Sequence, residues 1–145
     1  MRRHRLAVLT AGLLLALPLP FAARAAEPLR VGTFDVDASP PVGSPLAYDP
    51  TKGVETPLSC RGVVLIGSGA PIVLCAIDWI GLSNDGQTVF RDAFARAADT
   101  DPRQVVVHAV HQHDAPQCDF SADALLQECG LAGTGFDPAF ARDVV

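Results

Sequence analysis

Three of the four histidines in this chain, His108, His111 and His113, fall within six positions. They sit in the run Val105-Val106-Val107-His108-Ala109-Val110-His111-Gln112-His113-Asp114-Ala115-Pro116. A neutral imidazole offers one lone pair, which takes a proton or binds a cation. In an extended strand, residues two apart project from the same face. The spacing therefore puts His111 and His113 together and turns His108 the other way, where a hydrogen-bonded core histidine is expected. Pro116 ends the strand, so the pair lies where strand becomes loop. Strand ends that face a crevice are the usual ligand sites of open α/β sheets.

The metal expected from paired imidazoles is Zn²⁺, with Fe, Cu and Ni as alternatives. A catalytic zinc takes three protein ligands and keeps one position open. Asp114, beside the pair, is a candidate ligand or a candidate partner orienting an imidazole from behind. Asp78, at the end of an earlier strand, is the same. The plain alternative is a hydrogen-bonded surface pair with no metal.

The elements that must position these residues follow from hydrophobic pattern and punctuation. Leu29 to Val36 alternates loosely and reads as a short strand. Residues 37–59 hold Pro40, Pro41, Pro45, Pro50 and Pro57, which excludes a helix or a central strand and predicts a long ordered loop. Cys60 to Ile66 and Pro71 to Ile77 are apolar runs around Gly67-Ser68-Gly69-Ala70, so a β-hairpin is expected. Nearly every position in both runs is apolar, which predicts strands covered on both faces. Ser83, Asn84 or Asp85 caps a helix running to about Ala98, with Val89, Phe90, Ala93, Phe94 and Ala97 on its apolar face. Asp101-Pro102 stops it. Gln104 to Val110 is a β-branched strand. Together these predict an α/β fold, a mixed layered domain in which a β-hairpin, a helix and a strand carry the His-x-His motif.

Both ends of the chain read differently from its middle. Arg2, Arg3 and Arg5 precede an apolar run from Leu6 to Ala16, and Ala23-Arg24-Ala25 is a small-x-small cleavage pattern. Residues 1–25 thus read as a secretory signal peptide, and the expected location is secreted or periplasmic. Its apolar run is too short for a comfortable membrane span, and no second long one follows, so no transmembrane anchor is expected. The whole chain has 11 basic and 16 acidic residues, a net charge of -5, and without the four arginines of the leader the charge becomes -9. A nucleic-acid partner is excluded as a charge-led reading. At the other end, Asp137-Pro138 is an N-cap followed by Pro at the first helical position. The apolar stripe begun by Phe140 and Val144 meets the end of the chain, so residues 26–145 are expected to be the N-terminal part of a larger hydrolase domain.

Export makes disulfides chemically available to Cys60, Cys75, Cys118 and Cys129, and four cysteines allow three pairings. Cys118 with Cys129 is favoured because the two flank a loop-rich stretch. Cys60 and Cys75 bracket the hairpin and should come close. Free buried thiols are the alternative.

Val107 to Pro116 resembles the HTHSGP motif of the neutral/alkaline, non-lysosomal ceramidases. Other pieces fall in the same order. Val31-Gly32-Thr33-Phe34-Asp35-Val36-Asp37 with Pro40-Pro41 resembles that family's opening strand. Ser44-Pro45-Leu46-Ala47-Tyr48 resembles its "M-GY" turn. Arg61-Gly62-Val63-Val64-Leu65 followed by Ile77-Asp78 resembles its hairpin. The likeness spans roughly residues 30–117. The chain departs from the motif at Gln112, Asp114 and Ala115, and Gln117-Cys118 stands where Gly-Gly often follows.

The resemblance implies a ceramidase-like, zinc-dependent amidohydrolase that cleaves the amide of an N-acyl lipid such as ceramide. It implies that His111 is a zinc ligand. It implies that His113 lies beside the metal as a catalytic residue, holding substrate or developing negative charge. The family's remaining ligands, a second His, a Glu and a Tyr, lie later in its chains, so the fragment alone is expected to be inactive. A small-molecule or lipid substrate is the expected partner. Two rival readings stand beside this one. The run His111-Gln112-His113-Asp114 is also similar to the HxHxDH run of metallo-β-lactamase-like hydrolases, although Pro116 occupies the place of the closing His. The other rival is an exported, disulfide-stapled binding or structural domain with an incidental His pair.

Overall fold

The computed structural model describes residues 27–145, so the leader expected at residues 1–25 lies outside the described residues. Strand β1 (Arg30–Asp37) is followed by the proline-rich loop, then β2 (Ser59–Ile66) and β3 (Ile72–Ile77). A two-residue strand β4 (Gly81–Leu82) leads into helix α1 (Asp85–Ala97), and β5 (Val105–Ala109) returns to the sheet. The tail holds β6 (Gln117–Cys118), α2 (Phe120–Glu128) and α3 (Pro138–Asp143). The main sheet has the order β1-β2-β3-β5, and β4 pairs with β6 in a second, small sheet. This is the mixed α/β layer structure that the pattern of strands and helix implies.

The hairpin forms as expected. β2 and β3 are antiparallel, with Val63 opposite Leu74 and Gly62 opposite Cys75. β5 joins β3 in parallel, with Cys75 opposite Val107 and Ile77 opposite Ala109. A parallel return needs a crossover, and α1 supplies it. The helix lays Phe90 on the inner face of the sheet, where Val73, Cys75, Ile77, Val105 and Val107 are buried with it. Trp79 is wholly buried beside them and meets Phe90 edge-on, with ring centroids 5.6 Å apart.

The hairpin strands are covered on one face, not two. The register aligns Val31 with Leu65, Leu65 with Ile72, and Leu74 with Val106. Of these, Val31, Ile72, Leu74 and Val106 are exposed. All the described helices that pack on the sheet lie on its other side, and an unbroken apolar run does not reveal how many layers cover it. The buried face of α1 is also shifted. Gly86, Phe90 and Ala95 are buried, whereas Ala97 is exposed.

Asn84 precedes α1 with φ 45° and makes no side-chain cap. Its amide instead donates to the Asp119 carboxylate at 2.7 Å. The other Asp119 oxygen caps α2 through Ala122 N–H at 3.0 Å. One carboxylate thus ties two helix starts together. Asp137 caps α3 as expected, accepting from the N–H groups of Ala139 and Phe140 at 3.1 and 3.0 Å.

The cysteines are free thiols. Cys60 and Cys75 do come close, with Sγ atoms 3.4 Å apart, a thiol contact rather than a covalent bond. The favoured Cys118–Cys129 pairing does not form. The stretch between them is not loop but α2, and it leaves Cys118 buried and Cys129 exposed. The bond to Cys60, followed by burial, holds the Cys75 thiol far above its usual range. Burial, with Asp119 adding to it, pushes Cys118 up to about 12.

Two measurements check this packing. A thiol-specific alkylating reagent at pH 8 should label Cys129 rapidly and the other three cysteines only after denaturation. Fast native labelling of Cys118 would contradict the packing. Gly86 approaches the Cys118 carbonyl so closely that an added Cβ would meet that oxygen and lie 3.1 Å from its sulfur. Gly86→Ala should lower stability by about 1–3 kcal/mol in chemical denaturation, through overpacking against backbone.

Candidate functional site

The histidine pair lies just beyond the carboxyl ends of the two parallel strands. β5 stops at Ala109. The chain then continues along residues 77–83 by single bonds rather than as a strand. Val110 N–H donates to Ile77 O at 3.0 Å, and His111 N–H to Trp79 O at 3.1 Å. On the far side of the loop, Ile80 N–H donates to Pro116 O and Ser83 N–H to Cys118 O, both at 2.9 Å. Residues 111–116 are therefore held at both ends against one segment.

Strand alternation does not bring the two rings together. His111 has φ 65°, in the left-handed region. Histidine visits that region more readily than bulkier side chains, yet such a residue stores about 1–3 kcal/mol of strain. The kink turns the His111 ring back over the end of β3, where Nδ1 lies 2.8 Å from Ile80 O. A carbonyl only accepts, so Nδ1 carries the hydrogen and the neutral ring keeps its lone pair on Nε2. That Nε2 lies 3.3 Å from His113 Nε2. The rings are edge-to-face at 87°, with centroids 4.9 Å apart. Both side chains are exposed.

Tyr48 completes the cluster. Its Oη lies 2.9 Å from His113 Nδ1. It arrives from the proline-rich loop, which Gly43 N–H to Thr51 O and Thr51 N–H to Ser44 O, each 2.8 Å, close on itself. A residue 65 positions away in sequence gives no local signal of this contact. The likeness of residues 44–48 to a family turn does not place Tyr48 at the pair either.

The two carboxylates have other uses. Asp78 accepts from Ser59 N–H at 2.9 Å and Ser59 Oγ at 2.8 Å, and Arg61 lies 3.6 Å away. It locks the start of β2 to the end of β3. Asp114 follows His113, and its N–H donates to the side chain of Gln112. Among the described residues no hydrogen bond joins either carboxylate to the pair. His108 also departs from expectation. It is exposed rather than a core residue, on the outer face of the sheet opposite Ala76.

A groove of about 610 Å³ is lined in part by Leu46, Thr51, Val54, Leu58, Gln112 and Asp114, and neither imidazole lines it. That volume is in the range of small-molecule sites. Gln112 and Asp114 are the chain neighbours of His113.

His111 meets the structural requirement of a metal ligand. One nitrogen is anchored by a backbone carbonyl, and the other faces His113 Nε2. Among the described residues no group of three or more His, Cys, Asp or Glu gathers around one point. Among those residues, no helix is long and apolar enough to cross a membrane. Comparison with family models, curated proteins and solved structures found no match.

Asp78→Ala tests the carboxylate's structural use. It leaves Ser59 N–H without its partner and should cost about 1–3 kcal/mol of stability in chemical denaturation. An unchanged denaturation midpoint would contradict that use.

Proposed function

We propose that this chain contributes His111 and His113 to the active site of an exported, zinc-dependent amidohydrolase. Its substrate is an N-acyl lipid of the ceramide type. The observation that carries the proposal is the fixed lone pair of His111 Nε2, with a second imidazole nitrogen 3.3 Å away on the residue between Gln112 and Asp114, which line a groove. The ordered likeness to neutral ceramidases between residues 30 and 117 supports the reaction class. The leader-like residues 1–25 support export.

In this reading each residue has one task. His111 Nε2 holds the metal, and Ile80 O sets that ring's direction. A bound zinc would supply Lewis acidity, lowering the pKa of water and polarising an amide carbonyl. His113 stands beside that position and offers an N–H to the oxygen on which negative charge develops. The groove takes the acyl portion, with Leu46, Val54 and Leu58 as its apolar lining.

Zinc analysis of the purified protein, beside His111→Ala, tests the assignment. The variant should lose more than about 100-fold in zinc affinity, since it loses a direct ligand rather than an outer partner. His113→Ala should bind zinc more nearly as wild type does. Undiminished zinc in His111→Ala overturns the ligand assignment. A loss of zinc affinity in His113→Ala as large as that in His111→Ala overturns the placing of His113 beside the metal.

A further inference from the structure

Cys60 on β2 and Cys75 on β3 hold their sulfurs 3.4 Å apart on the inner face of the sheet. The register explains the contact. Cys60 pairs with Ile77, and Gly62 pairs with Cys75. The two cysteines therefore point to one face and stand one step out of line. Gly62, opposite Cys75, adds no side chain to that face. Since a disulfide bond is about 2.05 Å long, the sulfurs need to approach by about 1.4 Å to be joined. Cys118 and Cys129 cannot bridge to one another in the same way. The nine residues of α2 lie between them and, at 1.5 Å per residue, separate them by roughly 13 Å. Cα atoms more than about 7 Å apart cannot be bridged without backbone movement.

Cys60 and Cys75 are covered, at 1 % and 2 % exposure. Their cover comes from α1 and β5. Phe90 lies in the same buried cluster, and Val107 stands opposite Cys75. The hairpin itself closes across residues 67–71 and needs neither element. The pair can thus meet an oxidant before its face is closed and is shielded from one afterwards.

We infer that Cys60 and Cys75 are a site of oxidative modification, where a disulfide forms across the hairpin and fixes its register. The fold described above holds the dithiol. The oxidant is a small disulfide such as oxidised glutathione. One cysteine, having lost its proton, attacks that disulfide as a thiolate. A mixed disulfide forms, and one glutathione thiolate leaves and takes up a proton. The second cysteine then loses its proton and attacks the protein sulfur of the mixed disulfide. The Cys60–Cys75 bond forms, and the second glutathione leaves and is protonated. Two protein thiols are oxidised, and one small disulfide is reduced to two thiols. The leader-like residues 1–25 support delivery to a compartment where such bonds persist. The bond ties β2 to β3 beside Ile77, whose carbonyl accepts from Val110 N–H just ahead of the histidines. Nothing in this step involves the histidines or a metal.

Two samples of the reduced full chain, one folded and one denatured, are brought to the same native buffer containing reduced and oxidised glutathione. Both are quenched in acid, denatured, alkylated and mapped by mass spectrometry. In the sample that folds in this buffer, most molecules should carry a Cys60–Cys75 bridge, with Cys118 and Cys129 alkylated. The sample folded beforehand should reach the same bridge several-fold more slowly, because its inner face must first open. Cys60 and Cys75 left as thiols in both samples at equilibrium overturn the inference. So does a bridge that joins either of them to Cys118 or Cys129. If the denatured sample does not refold, the folded one, followed to equilibrium, decides alone. The denaturation midpoint of the bridged protein should fall when a phosphine reductant is added, because the closed loop no longer restricts the unfolded chain. The midpoint of Cys75→Ser should not respond. A bridged protein whose midpoint ignores the reductant, or an equal fall in Cys75→Ser, overturns the fixing of the hairpin by the bond. If Cys75→Ser does not fold, the wild-type map and midpoint decide without it.

Discussion

The parallel pairing of β3 with β5 is the constraint on which the site depends. It sets Ile77 opposite Ala109, and every later contact along the two chains follows from that register. Val110 reaches Ile77 O, His111 N–H reaches Trp79 O, and the His111 ring reaches Ile80 O. A slip by one residue would turn each strand's buried side chains to the opposite face. It would also remove the carbonyl that fixes the His111 tautomer. The site is thus built from backbone groups that any sequence possesses, aimed by a pairing that only this core favours.

Trp79 links that register to the rest of the molecule. Its Nε1 donates to Ala38 O at 2.9 Å, fastening the beginning of the proline-rich loop. Its ring packs on Phe90 from α1 and on Phe140 from α3, with centroids 5.6 and 5.8 Å away. Its own carbonyl holds His111. One buried side chain therefore connects the loop that bears Tyr48 with the strand ends that bear the imidazoles. The exposed apolar face of the sheet takes no part in this arrangement.

Much of the scaffold was legible in the sequence because it rests on local signals. Alternation and turn residues marked β1, β2 and β3. Helical spacing marked α1, and Asp137-Pro138 marked α3. The small β4–β6 sheet and α2 were not legible. Two-residue strands leave no periodic trace, and α2 has no buried residue to give it an apolar stripe. The site was half legible. His111 and His113 stood out by type and spacing, but alternation was the wrong reason for their meeting. The kink at His111 is imposed by Trp79 and Ile80, which are distant in sequence. Asp78 looked like a partner of the metal because of where its strand ends, yet Ser59 and Arg61 claim its carboxylate. Export and disulfide chemistry suggested bridged cysteines, whereas the fold keeps them as thiols.

The crossover through α1 has a consequence for the order in which the molecule assembles. β2 and β3 join across residues 67–71, whereas β1 reaches β2 across residues 38–58 and β5 reaches β3 across residues 78–104. Closing a longer stretch of chain costs more entropy, which its contacts must outweigh. Among the strands of the main sheet only the hairpin is a local pairing, and the imidazole pair depends on one that is not. A chain that held the hairpin alone would carry two unconnected histidines.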